Sequence, residues 1–207
     1  MSDYSLFFFT YILIKMNIEL SDRQKEIIKV SLELIAESGI QGLTIKNISK
    51  KIGLVESAIY RHYESKTQIL GAILDSIQGQ TKSNDFTQVG SVISFLEKKL
   101  ENHFQVFTEN PALVSVVFAE DLFQNEPLLI EKTKAKVKKS ISELSELTKI
   151  GQQKGEIRRD IDHEQVSIII NGSVRMLVKQ WKMSGYAFDL QTKGSELIKS
   201  LKLLLKA

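Results

Sequence analysis

The chain has no cysteine among its 207 residues, only two prolines, eleven glycines, three histidines and one tryptophan. Without cysteine, disulfides and thiolate metal sites are excluded, and the composition suits a reducing cytoplasm. So few prolines and glycines argue against a sheet-rich fold held together by many tight turns. His62, His103 and His163 fall in separate segments, and none sits within an HExxH pattern. There is no glycine-rich phosphate loop, and the acidic residues are scattered rather than paired. The sequence therefore indicates no enzyme, and neither metal nor cofactor is expected. Net charge is also small, +3, so any attraction to nucleic acid must come from a local cluster.

Long apolar runs are scarce too. Leu6 to Ile14 forms one, but spanning a bilayer takes about 20 residues. As a signal peptide it is poor, because Asp3 stands where basic residues belong and no small-x-small cleavage site follows. We expect Met16 to be the natural start, with residues 1–16 an apolar extension. An amphipathic arm that packs on another hydrophobic surface is the alternative, and no membrane association is expected.

What is present is helical periodicity and enough hydrophobic content, 43 %, for a real core. The most informative stretch is residues 44–63. Ile45, Ile48 and Ile52 recur at spacings of three and four, which puts them on one helical face and leaves Lys46, Asn47, Lys50 and Lys51 outside. Thr44 precedes them as a cap whose hydroxyl can accept from a first-turn amide. Gly53 supplies the tight turn, and a second helix is predicted from about Val55, with Val55, Ala58 and Ile59 inward and Glu56, Ser57, Tyr60 and Arg61 outward. Such a pair serves to lay its second helix in a DNA major groove. On spacing alone, an ordinary corner between two helices is equally open. The charge is local as required: between Thr44 and Lys66 the basic residues Lys46, Lys50, Lys51, Arg61 and Lys66 face only Glu56 and Glu64.

The following run, Tyr60, His62, Tyr63 and Lys66, resembles the tyrosine–x–histidine–aromatic–x–x–lysine signature that closes the DNA-binding domain of TetR/AcrR-family transcriptional repressors. Ala36 to Gly39, Gly42 to Thr44, Ile48-Ser49 and Ile52 to Leu54 are similar to the same family at the expected spacing, so the resemblance covers roughly residues 22–70. It departs at Glu56, where such proteins often carry a small or basic residue. An acidic group repels phosphate, so Glu56 reads a cytosine amino group or folds back onto Arg61.

The resemblance implies an all-α chain with an N-terminal three-helix helix-turn-helix domain (17–66) and a C-terminal helical effector-binding and dimerisation domain (67–207). Ser21 and Gln24 make a capping box that opens the first helix, which Gly39 ends. Ser65 and Gln68 make another, starting a helix to about Gln78. Residues 79–85 are polar and read as a loop. Further helices are predicted from about Gln88 to Thr108, from Pro111 to Phe123, from Pro127 to about Gly151, from Asp162 to Met183 and from Leu190 to about Lys206. Lys132, Lys134, Lys136, Lys138 and Lys139 read as a solvated face in preference to a second nucleic-acid surface. The Asp162–Met183 helix is apolar on two sides, Val166, Ile170, Val174, Leu177 and Trp181 on one, and Ile169, Gly172, Ser173 and Met176 on the other.

For function, the resemblance implies a homodimer through the last two helices that binds a near-palindromic double-stranded operator and is released by a small molecule. Thr44, Lys46, Tyr60, His62 and Lys66 are assigned to phosphates, and Ser57, Arg61 and Glu56 to bases, with Tyr63 partly a core plug. Candidate walls of an effector pocket are Phe104, Phe107, Phe118, Phe123 and Trp181, with Arg175 as an anchor for an anionic group. The lining suggests a hydrophobic or aromatic effector, although each of these residues also suits a plain core. His103, beside Phe104 and Phe107, reads more readily as structural than as a pocket residue. A helical DNA-binding or architectural protein with no small-molecule effector is the alternative.

Overall fold

The computed structural model describes residues 20–78 and 90–207. The apolar run, the Met16 start and the 79–85 loop lie outside the described residues. The described residues form helices α1 (Asp22–Gly42), α2 (Ile45–Ile52), α3 (Glu56–Tyr60), α4 (Lys66–Gln78), α5 (Val92–Glu109), α6 (Pro111–Val117), α7 (Pro127–Gln153), α8 (His163–Met183) and α9 (Leu190–Leu205), with a 3-10 turn at Glu120–Phe123. The helix predicted over 111–123 is thus broken after Val117.

The capping chemistry read from the sequence is in place. Ser21 Oγ accepts from the Gln24 amide at 3.3 Å, while the Gln24 side chain accepts from the Ser21 amide at 3.0 Å. Thr44 Oγ1 accepts from the Asn47 amide at 3.1 Å, and Asp162 accepts from Glu164 at 2.8 Å. At Ser65 the box is shifted by one residue: Ser65 Oγ takes the Gln68 amide, but the Gln68 side chain reaches back to Glu64 N. Gly39 does interrupt α1, with φ 66° and ψ −176°, and a further turn of helix follows to Gly42.

The chain divides into two compact units, residues 20–78 with 115–134, and residues 90–114 with 135–207. The division does not follow the expected 66/67 boundary. In the first unit, Thr67 Oγ1 donates to Glu126 at 3.0 Å and Lys132 Nζ binds Asp75 at 2.6 Å, fastening α4 to the first turns of α7. Partly shielded pairs like these contribute about 1 kcal/mol at most, so they set register more than stability.

The second unit is built around α5, whose buried side chains include Val92, Leu96, Leu100, Phe104 and Phe107. Helix α9 packs directly on it because Gly194 has no side chain. A Cβ there would stand 2.4 Å from the Phe104 ring. The start of α5 is capped from a distance. Glu156 accepts from Ser91 Oγ at 2.8 Å, Val92 N at 3.1 Å and Ile93 N at 3.2 Å. Burial disfavours the charge of this carboxyl, but the Ser91 hydroxyl, the two amides and nearby Lys154 outweigh it and hold Glu156 below the usual carboxylate range.

Two outcomes are expected. Gly194→Ala should destabilise by about 1–3 kcal/mol in urea titrations, overpacking outweighing the gain in helix propensity. Because Glu156 has a lowered folded pKa, its contribution is complete above the ordinary carboxylate value and is lost as pH falls through the folded one. Glu156→Gln should therefore weaken the protein near neutral pH by about 1 kcal/mol and flatten its acid-side stability profile.

Candidate nucleic-acid interface and effector domain

Helix α2 ends at Gly53, whose left-handed backbone (φ 80°, ψ 32°) lets both Gly53 N and Leu54 N donate to Ser49 O at 2.9 Å. The chain then turns into α3. Behind these helices lie the buried side chains Leu43, Ile48, Ile59 and Tyr63. In front stand Thr44, Lys46, Lys50, Glu56, Ser57, Tyr60 and Arg61, all exposed. One surface thus carries hydroxyl, ammonium, carboxylate, phenol and guanidinium groups on the short helix and at the start of the helix before it. The Thr44 hydroxyl accepts the capping bond and keeps its own proton for an outside acceptor. Glu56 occupies the first turn of α3, where a negative charge suits the helix dipole. Among the described residues Glu56 and Arg61 form no ion pair, so the fold-back alternative is not adopted.

Three sequence assignments change. Val55 points outward, 67 % exposed, because it is the N-cap and not an interior residue of the short helix. Lys66 is not a free phosphate anchor: its Nζ donates to Ile40 O at 2.6 Å, tying the start of α4 to the end of α1. The positive φ of Gly39 breaks α1 just before Ile40, and a helix C-terminus attracts a cation to its carbonyls. Tyr63 is a core residue, 5 % exposed, with its phenol pushed up to about 12 by burial. His62 is half-buried at the rim. Lys51 is likewise engaged, bridging Glu37 at 2.6 Å and Glu33 at 3.3 Å on α1, and the Glu37 hydrogen bond raises its pKa. Sequence spacing gave no warning of the Lys51 and Lys66 contacts, since their partners lie a helix away.

The candidate pocket residues separate. Phe118 and Phe123 belong to the first unit, whereas Phe104, Phe107, Arg175 and Trp181 belong to the second. Phe104, Phe107 and Phe123 are buried core. Trp181 has structural work: its indole N–H donates to Phe188 O at 2.9 Å and its ring meets Tyr186 edge-on at 4.7 Å, closing the turn between α8 and α9. Arg175 and Phe118 are half-buried. The α7 lysine face is largely solvated and paired, with Lys132 on Asp75, Lys134 on Glu131 and Lys139 on Glu143. Lys136 departs from it, being half-buried with its nitrogen shielded from solvent. Among the described residues no helix is long and apolar enough to cross a membrane, and no group of His, Asp or Glu side chains has the geometry of a metal site.

A short exposed helix set on a glycine turn and backed by a three-helix head defines a helix-turn-helix regulator. The comparisons agree. Residues 27–73 match "Bacterial regulatory proteins, tetR family", and residues 67–207 match "YsiA-like protein, C-terminal region". The chain belongs to the TetR family and is a DNA-binding transcriptional regulator. It is 24 % identical over 189 residues to the probable acrEF/envCD operon repressor of Escherichia coli (strain K12), covering 84 % of this chain and 83 % of that one. It is also 24 % identical over 179 residues to the fatty acid metabolism regulator protein of Bacillus subtilis (strain 168), covering 85 % and 92 %. The crystal structure of the transcriptional regulator FadR from Bacillus subtilis, solved in complex with stearoyl-CoA, superposes with a TM-score of 0.72 at 24 % identity, over 85 % of this chain and 96 % of that one.

The two corrected residues give a test. Lys66→Ala should lower the stability of the protein by about 1 kcal/mol while leaving the salt dependence of DNA binding unchanged. Tyr63→Phe should leave both stability and DNA affinity within about 1 kcal/mol of wild type. Denaturant melts and DNA titrations over a salt series read both.

Proposed function

We propose that the protein is a cytoplasmic repressor that binds a near-palindromic operator as a homodimer and lets go when an apolar effector binds its C-terminal region. The observation that carries this reading is the outward face of α3. Arg61 has the fork geometry for the O6 and N7 acceptors of guanine, Ser57 suits either a base or a phosphate, and Glu56 accepts from the amino group of cytosine. Thr44, Lys46, Tyr60 and His62 surround them at the places where phosphates would pass. Lys50, exposed beside Lys46, is a further phosphate donor that the motif did not single out.

Dimerisation is supported by the last two helices. On the side of α8 away from the core, Ile169, Met176 (56 % exposed) and Met183 (77 % exposed) follow one another with Gly172 between them. On α9, Leu204 is 60 % exposed. A soluble protein rarely leaves so continuous an apolar stripe to water. Two copies paired on these faces would present two α3 helices for half-sites one helical turn apart, roughly 34–36 Å. An effector that prefers the conformation with the wrong spacing then shifts the population off DNA, by no more than its difference in affinity for the two states. The effector class we assign is hydrophobic or aromatic. The stearoyl-CoA in the Bacillus subtilis FadR structure makes long-chain acyl compounds the first to test.

Three measurements check the reading. Sedimentation of wild type at micromolar concentration should give a dimer and Met176→Asp a monomer. A monomeric wild type would remove the symmetric operator. On the promoter fragment beside its own gene, Arg61→Ala should cost about 1–3 kcal/mol and relax the preference at one base pair. Lys46→Ala should weaken all sequences alike and reduce the salt slope by about one.

A further inference from the structure

Two pairs of contacts fix the register of three helices in the second unit. Between α7 and α8, Ser145 Oγ lies 2.7 Å from His163 Nδ1, and Asn171 Nδ2 donates to Ser140 Oγ at 2.8 Å. The helices are therefore antiparallel, and one turn beyond Ser140 and Asn171 come Lys136 and Arg175. Between α5 and α7, a Cβ on Gly151 would meet Val92 at 3.0 Å, and Lys99 Nζ binds Glu143 at 3.0 Å. One turn further along the same antiparallel pair, His103 comes level with Lys139, a turn from Lys136. Three helices thus bring a lysine, an arginine and a histidine to one level of the unit.

The side chains at that level are not surface cations. Lys136 and Arg175 are half-buried, the Lys136 nitrogen is shielded from solvent, and burial lowers the Arg175 pKa. His103 presents accessible surface while its ring stands edge-on to Phe107 at 4.7 Å and Phe104 at 6.3 Å. Burial, with Lys99 nearby, drives its pKa down to about 4, so it is neutral at physiological pH. An accessible ring in desolvated surroundings is the mark of a recess. Glu143, the acidic side chain on this stretch of α7, is held by Lys99 at 3.0 Å and Lys139 at 3.8 Å. Two like charges at reduced dielectric favour an anion between them, and a guanidinium takes a carboxylate or phosphate through two parallel hydrogen bonds.

We propose that Lys136 and Arg175 together bind the anionic head, carboxylate or phosphate, of an amphiphilic effector, and that neutral His103 hydrogen-bonds the part of the ligand next to that head. This rests on the reading that an apolar effector enters the C-terminal region, and it adds that the effector is charged. It also makes Lys136 a ligand residue and not part of the solvated lysine face.

The test compares ligands that differ only in charge. 1-Anilinonaphthalene-8-sulfonate is set against neutral N-phenyl-1-naphthylamine, and palmitate and palmitoyl-CoA against methyl palmitate, by fluorescence and calorimetric titration of the full chain. Wild type should bind the anionic member of each set about ten-fold or more tightly over the neutral one. Lys136→Gln and Arg175→Gln should each erase most of that preference while leaving affinity for the neutral compounds unchanged. Arg175→Lys should keep part of it. A preference for palmitate places a carboxylate at the site, and one confined to palmitoyl-CoA places a phosphate there. Equal binding of charged and neutral partners, or a preference that survives both glutamine variants, overturns the anion site while leaving an apolar effector standing. If wild type binds none of the compounds, both the anion site and the apolar effector fail.

Discussion

The left-handed turn at Gly53 is the constraint on which the DNA-binding face depends. It lets two successive amides, Gly53 and Leu54, close on the Ser49 carbonyl and redirects the chain within two residues. A side chain at φ 80° would be strained, because Cβ crowds the backbone there. With the turn in place, Ile59 is driven inside and the remaining positions of so short a helix have nowhere to go but out. α3 is only five residues long and could not hold its shape alone. Its geometry is borrowed from the core beneath it and from the turn in front of it.

The supports of that head are polar as well as apolar. Lys51 reaches back to Glu33 and Glu37, Asn47 Nδ2 closes the Gly42 carbonyl at 2.8 Å, and Lys66 takes the Ile40 carbonyl. Each of these satisfies or neutralises a group at or near the end of α1. Of the basic residues that the sequence concentrates between Thr44 and Lys66, Lys51 and Lys66 serve the fold, and Lys46, Lys50 and Arg61 remain on the surface. The electrostatic footprint is therefore narrower than the composition suggests. It lies where a phosphate backbone would flank α3.

Much of this was legible in the sequence because it is local. Ser21 with Gln24, Thr44, Asp162 and Gly53 act within four residues of themselves, so spacing alone announces them. The two-sided apolar pattern of α8 was also readable, one side now in the core and Ile169 and Met176 outside. What was illegible depends on distance along the chain. The Lys66 partner is 26 residues away, and Glu156 caps a helix that starts 64 residues before it. No periodicity reports the match between Gly194 and the Phe104 ring. Val55 was misplaced because five helical residues contain too little of a 3.6-residue period to decide a face. The candidate pocket fared worst for a related reason: large aromatic residues at helical spacing look alike whether they fill a core or line a cavity, and Trp181 proved to be tied to its own turn.

The central claim is that the outer face of α3 reads base edges, twice per assembly, one turn of duplex apart. Selection of bound sequences from random double-stranded DNA tests it most directly. The account predicts an enriched pair of inverted half-sites with centres about 10 base pairs apart, one of which loses its guanine preference in Arg61→Ala. Recovery of no shared motif, or of a single asymmetric site indifferent to Arg61, would contradict it.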